Sequence, residues 1–419
     1  MAILSFNYIC AVSKKLVIIG GGAAGFFCAI EAAHNNPSLS ITIIEKQANV
    51  LQKVKVSGGG RCNVTHACFS NAELVKKYPR GASFLKKAFA YFTTTNTMEW
   101  FRNKGIILKT EADGRMFPST DTSQTIIDCL LKEVSKYGIH LQLKTSVESI
   151  QKTKQGFRIE LKNKEVMETD FVVVATGGFP KIEQYHWLTD LGHTIENPVP
   201  SLFTFNCPNK NLHELMGLTT PNASVKIIGS KLQEQGAVLI THWGLSGPAI
   251  LRLSAWGARE LAQKEYHFQI AINWINLPES ELRSTWNTIR NTQSSNVLGN
   301  KNPFGLPNRL WDYILTSCTI DPKTKWGELQ TKEQNKLMHH LTAHELEVKG
   351  KTTFKEEFVT CGGIKLNEID ASTMESKLLP NLFFAGEIMD VDGITGGFNF
   401  QHAWTSGYLA ANGITKNMN

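Results

Sequence analysis

Four glycine-rich segments, two of them with acids close by, are the residues of this chain best suited to chemistry. Gly20, Gly22 and Gly25 form a Gly-x-Gly-x-x-Gly set directly after the apolar run Leu16–Ile19. Gly20 lets the chain turn sharply. Gly22, with Ala24 beside it, leaves the backbone open to a pyrophosphate, and Gly25 lets a helix pack closely on a strand. Glu45, followed by Lys46, stands about 20 residues beyond the last glycine, where a carboxylate accepts hydrogen bonds from ribose hydroxyls and disfavours a 2′-phosphate. A second cluster is Ser57-Gly58-Gly59-Gly60-Arg61-Cys62-Asn63. Three consecutive glycines cost backbone entropy and are kept where close approach or unusual dihedrals need them. Arg61 suits a phosphate or a flavin carbonyl; Cys62 is either redox active or, the preferred alternative, a buried inert thiol. Ala175-Thr176-Gly177 follows a buried strand. Near the C-terminus, Gly386-Glu387, Asp392 and Gly396-Gly397-Phe398-Asn399 combine an acid suited to a ribityl chain with a glycine pair opening a helix. That helix N-terminus suits the flavin pyrimidine edge, where negative charge develops on reduction. Together these motifs point to noncovalent FAD.

The elements that must position them read as strand, glycine turn, helix, strand: Leu16–Ile19, helix Ala23–Ala33, then Ile41–Ile44. Shorter strands are predicted at His140–Leu143, Val147–Ile150 and Phe157–Leu161. Phe171–Ala175 and Leu382–Ala385 are continuous apolar runs, the pattern of strands buried on both faces. The C-terminal helix is predicted over about Phe400–Ala411, with Ala403, Gly407 and Ala410 keeping one face small. Between about His193 and Val348 the apolar runs shorten and alternate, as in Ser224–Ile228 and Phe268–Ile272, which suits antiparallel strands. Tryptophans 243, 256, 274, 286 and 311 cluster there as core, Glu328–His344 is predicted helical, and Thr241–Pro248 reads as a turn with Ser246 as helix cap, or as a roof over the flavin. The fold class is therefore α/β: a Rossmann-type FAD domain built from both chain ends (14–192 and 349–419), with an inserted domain of antiparallel strands and helices (193–348).

The 419 residues suit two domains, and 42% hydrophobic with 19% charged residues suits a globular chain. No apolar run reaches the roughly 20 residues of a membrane span. Met1–Val12 lacks a basic segment and a cleavage site and reads as a short extension rather than a signal peptide. The net charge is +7, but Lys and Arg read as spread along the chain, a solvated surface in preference to a nucleic-acid face. Eight scattered cysteines without a Cys-x-x-Cys pair suit a reducing, cytoplasmic setting and argue against a redox dithiol. His340 and His344 are spaced for one metal but lack a third ligand, so no metal site is expected.

Val54–Asn63, Gly114-Arg115-Met116-Phe117-Pro118, Thr241–Pro248, Thr360-Cys361-Gly362-Gly363-Ile364 and Gly386–Gln401 resemble segments of the BaiN-like bacterial NAD(P)/FAD-dependent oxidoreductases. The resemblance covers nearly the whole chain from about Lys14. It departs from the family pattern at His66, where Asn is usual, and at Phe398, where Tyr is usual. The cofactor-binding set expected is Gly20, Gly22, Ala24, Gly25, Glu45, Lys46, Gly58–Asn63, Val147, Ala175–Gly177, Gly386, Glu387, Asp392 and Gly396–Asn399.

The function expected is FAD-dependent electron transfer between NAD(P)H, or another donor, and a small organic substrate. An FAD-dependent RNA-modification enzyme and a non-catalytic flavin sensor are the alternatives. Only one Gly-x-Gly-x-x-Gly opens a helix after a strand, so NAD(P)H is expected to reach the flavin transiently through the substrate cleft. The substrate is expected between the flavin ring and the insertion, walled by Thr241–Pro248 and Ser57–Asn63, with Arg61, His242 and His402 as candidates for polar contacts. Substrate identity, donor and oligomeric state are left open.

Overall fold

The computed structural model describes residues 13–300, 302–353 and 359–418; Met1–Val12, with Cys10, lies outside them. The chain divides into two compact units, one made of residues 1–198 and 362–419 and the other of Val199–Cys361.

The first unit is organised by a five-stranded sheet in the order Leu382–Phe384, Phe171–Val174, Lys15–Ile19, Ser40–Ile44, His140–Gln142. All four pairings are parallel. Ile19 sits opposite both Ile44 and Val174, and Val174 opposite Phe384. Because the strands run the same way in this register, Gly20, Glu45, Ala175 and Ala385 all leave the sheet at one edge, the carboxyl edge where ligands of open α/β sheets bind. A C-terminal strand thus completes a sheet begun by the N-terminus. The central strands are apolar throughout because they are covered on both faces: Leu16–Ile19, Phe171–Val174 and Leu382–Phe384 are all buried.

Helix Ala23–Asn35 follows Gly22, and the C-terminal helix Phe398–Met418 lies against it. The small residues expected on one face permit that approach. A Cβ on Gly407 would press on the backbone of Ala24 and Cys28. Smaller antiparallel sheets flank the main one: Val147–Lys152 with Phe157–Leu161 and Val166–Thr169, and Thr65–His66 with Arg115–Pro118 and Leu108–Thr110.

The second unit holds a seven-stranded sheet in the order His344–Lys349, His267–Asn273, Thr219–Ile227, Gln233–Thr241, Gly244–Ser246, Thr204–Asn206, Lys351–Thr352. Its described pairings are antiparallel. Its core contains Trp274, Trp286, Trp311 and Trp326, the last two stacked at 6.1 Å. Trp256, expected in this core, is 38% exposed.

Three expectations are corrected. The insertion starts at Val199 and ends at Cys361, not at 193 and 348. Its last strand, Lys351–Thr352, pairs with Thr204 and Phe205 and keeps the chain in this unit beyond Val348. The helix expected over Glu328–His344 is Thr331–Thr342, and His344 begins a strand, its side chain accepting a hydrogen bond from Trp274 Nε1 at 3.0 Å. The cap of helix Pro248–Trp256 is Gly247, at φ +94°, because Ser246 is taken into the sheet opposite Leu239.

Candidate functional site

At the first turn the glycines divide their work. A Cβ on Gly20 would land on the Ala175 carbonyl, and one on Gly25 on the Gly20 carbonyl, so both are fixed by backbone approach. Gly22 has ordinary extended backbone, φ −92°, and a Cβ there meets nothing within 4 Å. The Glu45 carboxylate accepts from Gly21 N–H at 2.8 Å and from Gln47 N–H at 2.8 Å, which fixes it beside the turn. Thr145 N–H donates to the Glu45 carbonyl at 2.9 Å, so the strand beginning at Val147 runs past the same acid. Lys46 lies over the Phe179 ring at 5.5 Å.

In the triplet loop, the helical segment Gln52–Gly60 breaks at Ser57, and Gly58, Gly59 and Gly60 take φ of +60°, +69° and +83°. That left-handed run is what the three glycines are for. Gly58 is held against Phe117, whereas a Cβ on Gly59 or Gly60 would meet nothing. Arg61, expected to face a phosphate or flavin carbonyl, lies over the Phe117 ring at 3.9 Å and donates to Glu111 at 2.6 Å. The Cys62 thiol is buried and pushed up to about 12 by that burial, so it is not a thiolate at neutral pH.

Asn63 joins this loop to the C-terminal motif. With its amide oriented to satisfy both partners, it donates to the Thr65 carbonyl and accepts from Gly397 N–H, each at 3.0 Å. Beneath it, buried Gln401 accepts from Thr65 at 2.6 Å and Thr97 at 3.0 Å, and donates to Thr405 at 3.1 Å. The two departures from the family pattern touch each other. The His66 ring stacks on Phe398 at 4.6 Å, and its Nδ1 lies 3.0 Å from the Gly396 carbonyl.

The remaining C-terminal residues are held mainly by protein. Asn399 closes its own loop on both backbone groups of Gly393, at 2.8 and 2.9 Å. Asp392 is fully buried and paired with Arg80. Glu387 pairs with Lys53 at 2.8 Å. Gly386, at φ +74°, packs against Ala24, which brings the two chain ends together at the start of the first helix. Gly177, at φ +72°, faces open space.

His402, expected to contact substrate, is buried with Nε2 at 3.2 Å from the Gly386 carbonyl, and burial lowers its pKa to about 4. It is neutral and holds that loop through Nε2, while its buried Nδ1 has no hydrogen-bond partner among the described residues. His242 belongs to the other unit, where it is exposed against Trp243 at 4.1 Å. Sequence reasoning missed Arg80, Tyr78, whose hydroxyl donates to the Phe398 carbonyl at 2.7 Å, and the Gln401 network. It also missed a charge asymmetry that a windowed count would have found. Residues 71–104 carry seven Lys and Arg against two Asp and Glu, a net +5 of the chain's +7.

A Cβ on Gly22, Gly59, Gly60 or Gly177 meets no protein atom within 4 Å. Open backbone of this kind, at a sheet's carboxyl edge beside a helix N-terminus and a fixed carboxylate, fits a dinucleotide. The family described as HI0933-like protein Rossmann domain matches residues 14–413. The chain belongs to the HI0933-like family. Among relatives, the ribosomal RNA dihydrouridine synthase of Escherichia coli is 32% identical, the match covering 94% of this chain and 96% of that one. The 3-dehydro-bile acid delta(4,6)-reductase of Clostridium scindens is 25% identical over 95% and 98% of the two chains. The crystal structure of the 3-ketosteroid-delta4-(5alpha)-dehydrogenase of Rhodococcus jostii superposes with a TM-score of 0.50 at 14% identity, covering 97% of this chain and 99% of that one, a likeness of fold. This HI0933-like chain is a flavoprotein oxidoreductase with a Rossmann FAD-binding fold. Among the described residues no helix is long and apolar enough to cross a membrane.

Proposed function

We propose that this chain is an FAD-dependent reductase of a carbon–carbon double bond conjugated to a carbonyl, with uridine in ribosomal RNA as the acceptor. The observation that carries the reading is the 32% identity, over 94% of the chain, to a ribosomal RNA dihydrouridine synthase. The uracil C5–C6 double bond is conjugated to the C4 carbonyl, and a 3-keto steroid with 4,6 unsaturation is a conjugated dienone. One chemistry serves both: hydride adds to the carbon remote from the carbonyl, a proton adds beside it, and negative charge passes through the carbonyl oxygen.

Bound FAD supplies the two-electron transfer from donor to acceptor. The chain's own residues hold it. Gly20–Gly25 and the N-terminus of helix Ala23–Asn35 take the pyrophosphate. Glu45 keeps lone pairs for the ribose hydroxyls, beside Lys46 and Val147. Ala175–Gly177, Gly386 and Glu387 would flank the ribityl chain. The triplet loop Gly58–Asn63 and Gly396–Asn399 would border the flavin ring. NAD(P)H is the donor, binding transiently, with one NAD(P)H and one proton consumed per double bond.

The test is anaerobic incubation of the holoprotein and NADH or NADPH with an unmodified ribosomal RNA transcript, followed by nucleoside mass spectrometry. Dihydrouridine formation is expected. A protein that reduces a 3-keto-4,6-diene steroid but leaves the RNA untouched would support the second reading, a small-molecule reductase, which the Clostridium scindens relative favours. Reduction of neither acceptor refutes both.

A further inference from the structure

We propose that a groove on the cofactor unit is the docking surface for the single-stranded RNA flanking the target uridine. The inference rests on the RNA reading above and adds the surface that holds the strand. The groove has a volume of about 950 Å³ and lies between residues 79–91 and residues 366–377. One wall therefore belongs to the segment 71–104 that carries +5 of the chain's +7 charge. Lys87 and Lys377 line it and are exposed. Lys377 donates to the Asn367 carbonyl at 2.9 Å, which steers its ammonium group without neutralising it. Asp370 also lines the groove, its carboxylate accepting from Ser372 N–H at 2.7 Å and Ser372 Oγ at 2.6 Å. Two lysines against one acid leave the lining with a net charge of +1.

Tyr91 lines the same groove with 56% of its surface exposed. A lysine rim beside an exposed aromatic ring is the combination that binds single strands: cations follow the phosphates, and a ring stacks a base without reading its identity.

The groove wall is also tied to the C-terminal motif. Ile394 N–H donates to the Lys77 carbonyl at 2.9 Å, Arg80 is paired with buried Asp392, and a Cβ on Gly81 would press on Val391. The wall that opens into the groove at Pro79 and Gly81 is thus pinned to the loop preceding Gly396 and Gly397. A strand held there reaches the end of the unit assigned to the flavin ring.

Anisotropy of a fluorescent oligouridylate against the holoprotein, at several salt concentrations, tests this. Changing Lys87 and Lys377 together to Gln should reduce the log–log salt slope by about 1.4. Tyr91→Ala should weaken binding by about tenfold. Lys154→Gln, on the hairpin turn between Lys152 and Phe157, should change neither; FAD content and melting temperature report folding in each variant. The groove is refuted if the double variant and Tyr91→Ala bind as wild type does. If both lose binding while the wild type leaves unmodified ribosomal RNA unreduced, the groove stands and the dihydrouridine reading falls. If both reduce that RNA with an unchanged KM, the reading stands and the groove falls.

Discussion

Four glycines of the cofactor motifs and four of the insertion sit in different surroundings. In the cofactor unit, Gly22, Gly59, Gly60 and Gly177 border space that no protein atom fills. In the inserted unit, a Cβ on Gly244 or Gly247 would collide with a neighbouring strand, and those on Gly257 and Gly299 would crowd packed side chains. Both units bury tryptophans, Trp274, Trp286, Trp311 and Trp326 in the insertion and Trp100, Trp187 and Trp404 in the cofactor unit, whose Tyr91 lines a groove. The first four glycines leave open space beside the backbone, whereas the second four serve packing within the protein. Substitutions should therefore damage the two in different currencies: ligand retention in the first, folding free energy in the second.

The largest effect on stability is expected in the insertion. Trp311 is 1% exposed and donates to the Leu298 carbonyl at 2.8 Å. Trp311→Ala should cost about 3–5 kcal/mol in urea unfolding, from the cavity and the orphaned carbonyl together. A loss below about 1 kcal/mol would show that the tryptophans are not the core they resemble.

Acid should weaken both units through one buried histidine in each. Burial lowers His402 to about 4 and His344 to about 3, against an ordinary value of 6.5. The unfolded chain therefore binds these protons first as the pH falls. Stability is full above about pH 6.5 and is lost towards pH 4 for His402 and pH 3 for His344, at up to about 1.4 kcal/mol per pH unit for each group. Denaturant midpoints at pH 7, 6 and 5 check the sign; a midpoint that rises on acidification contradicts it.

A smaller effect separates backbone strain from contact. Gly59→Ala adds a methyl group that meets no protein atom, at φ +69°. It should cost about 1–2 kcal/mol, the left-handed penalty alone. Smallest of all, Cys62 and Cys207, both raised to about 12 by burial, should resist alkylation in the native protein at pH 8, as mass spectrometry would reveal. Rapid labelling of Cys62 would reopen a redox role for it.

The cofactor unit was largely legible in the sequence because its signals are local. A glycine set between an apolar strand and an Ala-rich helix, followed by Glu45, fixes the order of elements. The parallel register then brings Gly20, Glu45, Ala175 and Ala385 to one edge. What stayed hidden depends on pairings between distant residues. Arg80 meets Asp392 across 312 positions, and Gln401 meets Thr65 across 336. No local pattern announces either. The ends of the insertion were misplaced for the same reason: Thr352 belongs to it only through its pairing with Thr204. His402 looked available because its helix was legible while its burial was not. The basic segment was legible, but it is diluted when charge is counted over the whole chain.

The claim that the two chain ends together shape a site for FAD is tested most directly at Gly22. Its backbone is ordinary and an added Cβ meets no protein atom within 4 Å, so the protein alone has room for that atom there. The measurement is the flavin released on denaturation of purified wild type and Gly22→Val, with circular dichroism recorded on each. The account predicts stoichiometric FAD from the wild type and almost none from Gly22→Val, with both proteins folded alike. FMN from the wild type, or full FAD from a folded Gly22→Val, would contradict it.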